Sequence, residues 1–193
     1  MEEEKNVEIK SIPQLFWNTV QARSNKVAMR EKHLGIWQEV TWKQYGDNAK
    51  KTGLALNSLG LKKGEVVSIA SEGNPEWLYT DMGTIGAGGV SSGVYTTDSA
   101  AQVKYLVNDS GSKFYFAENE EQLDKILEVR GDCPTLEKII VYDMDGLHNF
   151  KDDQVISYDE LIDIGKKVDI EQPNLWNDLI QNVKSEDIAI LVY

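Results

Sequence analysis

The residues whose types and spacing could support chemistry are concentrated in GTIGAGGVSSGVYTTDSAAQ, residues 83–102. Gly86, Gly88 and Gly89 resemble part of a dinucleotide-binding fingerprint, in which glycines let the backbone approach a pyrophosphate. That fingerprint follows a strand and opens a helix, whereas these glycines come at the end of a predicted helix. We therefore interpret them as a helix end and not as a phosphate-binding loop.

A second pattern in this stretch resembles the site of a catalytic serine. Gly89, Ser91 and Gly93 have the spacing of a nucleophile elbow, where serine lies on a sharp strand-to-helix turn and has a histidine partner. Ser91 falls within a predicted strand instead. His33 and His148 lie in a hairpin and in an acidic loop, where we expect structural or solvated roles rather than catalysis or metal binding. The sequence therefore identifies no catalytic residue.

Acidic clusters elsewhere predict turns and helix starts. Asp143, Asp145 and Gly146 suggest a calcium loop but lack its third oxygen ligand and its terminal glutamate at the right spacing. Three carboxylates near residue 120 are expected to cap and solvate the start of a helix, because negative charge is favoured there; they are Glu118, Glu120 and Glu121. We predict no metal site among these residues.

The strongest candidate for ligand binding is the turn formed by Tyr95, Thr96 and Thr97. It leaves the carboxyl end of a predicted strand, which is where open α/β sheets bind ligands. Ser99 and Gln102 form a capping box that opens the next helix, and a helix N-terminus favours phosphate. Alternatively, the two threonines only shape the turn. The sequence leaves both interpretations open.

Predicted strands and capped helices position this turn. Asn74 is a natural N-cap and Pro75 suits the first helical position, so a helix begins there. Its apolar stripe is predicted to consist of Trp77, Leu78, Met82 and Ile85. Residues 90–95 then form a strand of small side chains, which predicts a crowded central position in a sheet. Apolar runs that alternate with helical patterns begin at Val66, Val90, Phe114 and Ile139.

This alternation predicts an α/β protein whose mainly parallel sheet is flanked by helices on both faces. Before the repeat, VAMREK and IWQEVTW flank Leu34 and Gly35 as the arms of an amino-terminal β-hairpin. We expect residues 1–11 to form a flexible acidic tail and residues 12–193 to form one α/β subdomain. Near the end, Ser157 and Glu160 predict another capping box, and IAILVY predicts a last apolar strand.

Composition restricts the partners and the compartment. The 193 residues include 32 acidic and 20 basic side chains, and the net charge of −12 opposes nonspecific binding to nucleic acid or anionic lipid. Cys133 is the only cysteine, so no internal disulfide forms, and we interpret it as a loop thiol. No stretch reaches membrane-spanning length, and the acidic start is unlike a signal peptide. We expect a cytoplasmic protein with no nucleic-acid partner.

Several segments resemble the amino-terminal part of long-chain fatty acyl-CoA synthetases, which belong to the adenylate-forming, AMP-binding superfamily. They are GIWQEVTWKQY, the helix start NPEW and GGVSSGVYTTDSAAQVKYLVNDSGSK, and ENEEQLDKIL adds similarity to the bubblegum-type members. The resemblance runs roughly from Ile12 to Tyr193. The final SEDIAILVY is similar to the strand that, in this family, leads into a Ser/Thr/Gly-rich phosphate-binding loop with a lysine. We therefore expect a fragment truncated before that loop, within the large N-terminal domain of an adenylate-forming enzyme.

The resemblance implies a parent fatty acid–CoA ligase that uses ATP with Mg2+, forms an acyl-adenylate and transfers the acyl group to coenzyme A. The contacts for ATP and for the fatty acid would lie beyond Tyr193, so the fragment alone is expected to be inactive. Tyr95, Thr96 and Thr97 align with the turn that lies along the coenzyme A channel in relatives. A fatty substrate is compatible with peripheral membrane contact of the parent, although no patch in the sequence supports it.

Two other hypotheses belong to different classes of function. A stand-alone flavodoxin-like module would bind a nucleotide, or act as a regulator, through the same strand-end pocket. A self-associating chain would pair two copies through apolar area that a truncated sheet exposes. The missing phosphate-binding loop and the uncovered final strand favour the ligase fragment.

Overall fold

The computed structural model describes residues 11–193, without the side chain of His33. The predicted flexible tail, residues 1–11, lies outside the described residues except for Ser11. The elements are α1 (Ile12–Arg23), β1 (Val27–His33), β2 (Ile36–Thr41), α2 (Trp42–Ser58), β3 (Val66–Ala70), α3 (Pro75–Gly86), β4 (Val90–Val94), α4 (Ala100–Ser110), β5 (Phe114–Ala117), α5 (Glu120–Val129), β6 (Lys138–Val141), β7 (Val155–Ser157), α6 (Tyr158–Glu171), α7 (Leu175–Asn182) and β8 (Ile190–Leu191).

Six strands form one parallel sheet in the order β7-β6-β5-β3-β4-β8, and β1 pairs with β2 as a separate antiparallel hairpin. The predicted α/β class, the mainly parallel sheet and the amino-terminal hairpin are therefore confirmed. The predicted central position of β4 is wrong, because β4 is second from the edge and β3 lies further inside. Ser91 and Ser92 of β4 are nevertheless buried, and the Ser91 side chain lies against Asp81 of α3 on one face of the sheet.

Both faces of the sheet are covered by helices. On β5, Phe114 and Phe116 pack with side chains of α2 and α6, whereas Tyr115 and Ala117 pack with side chains of α4 and α5. All four side chains are fully buried. Burial on both faces explains why β5 is a continuous apolar run without polar alternation.

Glycines as well as apolar side chains control the packing of α3: Ile85 is buried, and Trp77 and Met82 pack against core clusters as predicted. A Cβ on Gly83 would lie 2.7 Å from the carbonyl oxygen of Ala49 in α2, and one on Gly86 would lie 2.3 Å from the ring of Trp176 in α7. The predicted stripe is wrong at Leu78, which is 36% exposed. The buried face of α3 consists largely of small and polar side chains, because larger ones would separate it from its neighbours.

The carboxyl-terminal segment differs most from the prediction. β7 was not predicted, since three residues are too few to establish a periodic pattern. The predicted last strand is reduced to Ile190–Leu191, which pairs with Ser91 and Ser92. The capping box of Ser157 and Glu160 is confirmed. Within residues 11–193, no helix is both long enough and apolar enough to cross a membrane.

Candidate functional site

The loops after β3, β4 and β5 meet at the carboxyl edge of the sheet. The last residues of these strands lie side by side in the register, because Ala70 is paired with Val94 and with Ala117. The backbone N–H of Glu72, after β3, donates a hydrogen bond to the Glu118 carboxylate, after β5, at 2.7 Å. The Thr96 hydroxyl, after β4, donates to the Glu72 carboxylate. One hydrogen-bonded chain therefore connects the three loops.

The backbone of Thr96 is fixed as well as its side chain. Its carbonyl oxygen accepts hydrogen bonds from Gln122 at 3.2 Å and from the Lys125 ammonium at 2.6 Å, both on α5. Lys125 also forms an ion pair with Glu121 at 3.0 Å. Sequence reasoning missed Gln122 and Lys125. The available signal was a glutamine on the apolar face of α5, three residues before a lysine.

Tyr95 and Thr97 are not held in this way. Tyr95 is 70% exposed and Thr97 is also exposed. Tyr95 separates two small pockets: one, of about 200 Å3, reaches Trp77, and the other, of about 240 Å3, reaches Tyr105. Tyr193 lines both pockets. Each is smaller than the roughly 300–1,000 Å3 typical of ligand sites, so this edge provides part of a wall.

The predicted capping box at the start of α4 is confirmed. The Ser99 hydroxyl accepts a hydrogen bond from the backbone N–H of Gln102 at 3.4 Å, and the Gln102 side chain accepts one from the Ser99 N–H at 2.9 Å. The N–H groups of Ala100 and Ala101 have no partner within a helix at these positions. They are the donors that a ligand at this edge could use.

The edge carries more negative than positive charge. Glu72, Glu118 and Asp98 follow the strands, while Lys125 is the cation that reaches the Thr96 loop. These side chains do not fit a polyphosphate, which needs several cations or N–H donors. Among the described residues, no group of three or more His, Cys, Asp or Glu side chains could hold a metal ion. We therefore assign no magnesium ligand and no phosphate chemistry to them.

The motifs that could suggest other chemistry have structural roles. Ser91 is buried in the middle of β4, and its hydroxyl donates to the Asp81 carboxylate on α3. α3 ends at Gly86, and Gly88 has a φ of +85° in the turn that follows. The predicted helix end and the predicted mid-strand position of Ser91 are therefore confirmed. Burial raises the pKa of the Asp81 carboxyl, while the hydrogen bond from Ser91 lowers it.

The remaining sequence candidates also have local partners. The Asp143 carboxylate accepts a hydrogen bond from the N–H of Asp145 at 2.9 Å, which confirms a surface turn. Glu118 holds the β3–α3 loop instead of capping α5, whereas Glu120 lies in the first turn of α5 as predicted. Cys133 lies in a loop but is buried, and burial raises the pKa of its thiol. His148 is exposed in the loop after β6.

Similarity to known proteins extends over nearly all of the described chain. Residues 16–193 match the family of AMP-binding enzymes. The chain belongs to the AMP-binding enzyme family. Its curated relatives include long-chain-fatty-acid–CoA ligase ACSBG2 of Xenopus laevis, which is 32% identical over 95% of this chain and 24% of the relative. Long-chain-fatty-acid–CoA ligase ACSBG1 of Rattus norvegicus is 28% identical over 85% of this chain and 24% of the relative. This AMP-binding chain thus spans about a quarter of the length of these relatives, and the predicted resemblance to bubblegum-type ligases is confirmed.

Solved structures with a similar fold include two ligases. The coronafacic acid ligase from Pectobacterium brasiliense has a TM-score of 0.76 at 21% identity, over 94% of this chain and 33% of that one. The anthranilate CoA ligase AuaEII, solved with anthranoyl-AMP, has a TM-score of 0.67 at 24% identity, over 78% of this chain and 26% of that one. They show that the fold of this AMP-binding chain is that of adenylate-forming enzymes.

Proposed function

We propose that this chain is the amino-terminal part of a long-chain fatty acid–CoA ligase. In such an enzyme a fatty carboxylate attacks ATP, pyrophosphate leaves, and the acyl-adenylate passes its acyl group to the thiol of coenzyme A with release of AMP. The observation that carries the proposal is 32% identity over 95% of the chain with a curated ligase of this specificity. We place the enzyme in the cytoplasm.

The proposed role of the described residues is to form one wall of the coenzyme A channel. Thr96 holds the loop in place, while Tyr95 and Thr97 are exposed and can contact the cofactor. The acidic edge favours the uncharged pantetheine arm over the phosphates of the cofactor. ATP phosphates and Mg2+ would be held by residues other than those described. The adenylation step would therefore not depend on Tyr95.

A longer protein that carries this segment tests the role of Tyr95. We expect Tyr95→Ala to lower kcat/KM for coenzyme A about tenfold, the equivalent of about 1.4 kcal/mol of lost contact. Fatty-acid-dependent exchange of pyrophosphate into ATP should be unchanged, because it reports the first half-reaction alone. Ile170→Ala is the control, since Ile170 is 82% exposed on α6 and lines neither of the two pockets beside Tyr95. An equal loss in both half-reactions would contradict the channel assignment.

Assays of the 193-residue chain alone test whether the catalytic residues lie elsewhere in the enzyme. Incubation with palmitate, ATP, Mg2+ and coenzyme A should yield no acyl-CoA above background. Thioester formation would contradict the proposal that the catalytic residues lie elsewhere. Titration calorimetry with ATP, AMP and coenzyme A distinguishes the flavodoxin-like alternative, since saturable nucleotide binding by this chain alone would favour a stand-alone module.

A further inference from the structure

The tip of the β1–β2 hairpin exposes three neighbouring large apolar side chains. Leu34 is 89% exposed, Ile36 64% and Trp37 62%. The hairpin forms its own two-stranded sheet, separate from the main one. Ile36 pairs with His33 and Trp37 with Lys32, so Ile36 and Trp37 point to opposite faces of the hairpin, and Leu34 lies at the turn between them. Single exposed apolar residues are ordinary, whereas three large ones within four residues at the end of a hairpin indicate an interaction surface.

The conformation of Leu34 gives a second reason to assign a function to the tip. Leu34 and Gly35 have φ values of 46° and 82°, as in a two-residue turn with both central residues in the left-handed region. Asn or Asp is favoured at the first of these positions, and a branched, bulky side chain there is strained. Folding alone would therefore select asparagine. A leucine that is both strained and exposed therefore points to a contact that its side chain makes outside the described fold.

The charges around the tip distinguish its two faces. The register pairs Lys32 with Trp37 and Arg30 with Glu39, so these four side chains share one face. Arg30 and Glu39 neutralise each other at 2.8 Å. Lys32 has no ion-pair partner among the residues that the structure describes, so this face presents one free cation beside a tryptophan.

The other face of the hairpin turns towards the body of the protein. Met29 and Val40 pack there against the cluster of α1, α2 and α3. Glu31 lies on the same face and acts on Glu76 of α3, whose carboxyl pKa is raised by burial and, to a smaller extent, by Glu31. The acidic side chain nearest the tip is thus directed away from the exposed face. This leaves the face of Lys32 and Trp37 without net negative charge on a protein whose net charge is −12.

We propose that the hairpin tip, Lys32 to Trp37, inserts into the interface of a phospholipid bilayer. Leu34 and Ile36 would enter the acyl region, Trp37 would lie at the level of the headgroups, and Lys32 would bind lipid phosphate. A narrow, convex turn offers little area for a protein partner, which needs roughly 1,200–2,000 Å2 in total. The inference is independent of the proposed ligase activity, and its test measures no turnover.

Co-flotation of the purified protein with phosphatidylcholine vesicles tests this proposal. We expect reversible binding. Leu34→Asn and Trp37→Ser should each weaken it about tenfold, since each removes most of one apolar side chain that would be buried in the bilayer. Lys32→Gln should weaken binding and Lys32→Arg should retain it. Vesicles with added phosphatidylserine should bind less protein, because the body of the chain is strongly acidic.

Two controls separate lipid contact from misfolding. Leu34→Asn places a favoured residue in the left-handed turn, so its melting temperature should equal or exceed that of the parent protein while vesicle binding falls. Ile170→Asn removes an apolar side chain that is 82% exposed on α6, and it should leave vesicle binding unchanged. Undiminished flotation of Leu34→Asn, or absence of flotation by the parent protein, would overturn the proposal. So would a dimer in lipid-free solution that Leu34→Asn dissociates, because the occupant of the tip would then be a second copy.

Discussion

The effect of a tyrosine hydroxyl on stability depends on its surroundings, as three tyrosines show: Tyr115 and Tyr158, which are buried, and Tyr142, which is partly buried. The Tyr142 hydroxyl donates to the hydroxyl of Thr80 on α3 at 2.7 Å, and a second such contact of 3.0 Å joins Tyr158 to Thr52. The Tyr115 hydroxyl is buried without a hydrogen-bond partner in the described part of the chain. A satisfied buried hydroxyl stabilises the fold slightly, whereas an unsatisfied one costs desolvation free energy.

Removal of the Tyr142 hydroxyl and removal of the Tyr115 hydroxyl should therefore have opposite effects on stability. We expect Tyr142→Phe to lower the free energy of unfolding by about 1 kcal/mol, because it leaves the buried Thr80 with one hydrogen bond fewer. Tyr115→Phe is the matched control, and it should leave stability unchanged or raise it. Urea unfolding followed by circular dichroism measures both. A loss in Tyr115→Phe as large as that in Tyr142→Phe would mean that its hydroxyl has a partner in solution.

The ionised form of the Asp81 carboxyl group is destabilised by burial. It is buried between α3 and β4, with the Ser91 hydroxyl as its hydrogen-bond donor. Burial raises its pKa above the ordinary 3.8, against the opposing effect of Ser91. The folded protein therefore binds this proton more tightly than the unfolded chain. The contribution of Asp81 to the free energy of unfolding therefore falls as the pH rises from 3.8 through the folded pKa.

Asp81→Asn should remove this pH dependence. We expect the variant to gain stability relative to the parent protein as the pH rises from 4 to 7, because the amide never ionises. Ser91→Ala should have the opposite effect and extend the loss of stability to higher pH, since the ionised carboxyl loses its donor. Thermal unfolding at a series of pH values measures both differences. Parallel curves for the parent protein and Asp81→Asn would contradict the assignment.

At the level of elements, α2, α3 and α7 pack through glycines. Gly53 on α2 and Gly83 on α3 face each other so closely that a Cβ on Gly53 would lie 2.5 Å from the Gly83 carbonyl oxygen. Trp176 of α7 fills the space beside them and is almost fully buried. The glycine-rich segment before β4 therefore brings helices together. This role accounts for Gly83 and Gly86 without a nucleotide.

Gly86→Ala should disturb this packing directly. The new methyl group would lie 2.3 Å from the Trp176 ring, so the ring or the helices must shift. We expect a loss of about 1–3 kcal/mol in the free energy of unfolding, the usual cost of overpacking. Gly131→Ala is the control, because no atom lies within 4 Å of a Cβ there. Equal unfolding midpoints for the two variants would show that α7 is not packed against α3.

For the whole molecule, the strands of the main sheet differ in how extensively they pair with their neighbours. β3 pairs over its whole length with β4, and four of its residues pair with β5. β8 contributes two residues and, among the described strands, pairs with β4 and no other. Ile188 and Val192 flank β8 and are exposed. Stability should therefore decrease from β3 towards β8.

Hydrogen exchange monitored by mass spectrometry measures this gradient. Amides of Ile190–Leu191 should exchange well before those of Val66–Ala70, because an edge strand of two residues opens without unfolding of the core. Amides of Val90–Val94, between them, should be protected nearly as well as those of β3. Equal protection of β8 and β3 would mean that the edge is covered in solution.

Local chemistry in the sequence predicted the elements well. Asn74, Ser99 and Ser157 each accept a hydrogen bond from the backbone three residues on, as their positions before helical patterns indicated. Caps and turns depend on neighbours in the chain, so they can be read from the sequence. The short β7 and the reduced β8 could not be predicted. A strand of two or three residues exists because a neighbouring strand supplies its hydrogen bonds.

The sequence by itself determined the fold class, the family resemblance and the position of the Tyr95–Thr97 turn at a strand end, because these depend on local patterns. Only the tertiary structure decided the order of the strands and what each of these residues contacts. Thr96 is tied to Glu72 and Lys125, which are distant in sequence. The tertiary structure also places the Glu31 side chain towards the body of the protein and the Lys32 side chain towards solvent. Contacts between distant residues depend on how strands and helices pack, which no local pattern specifies.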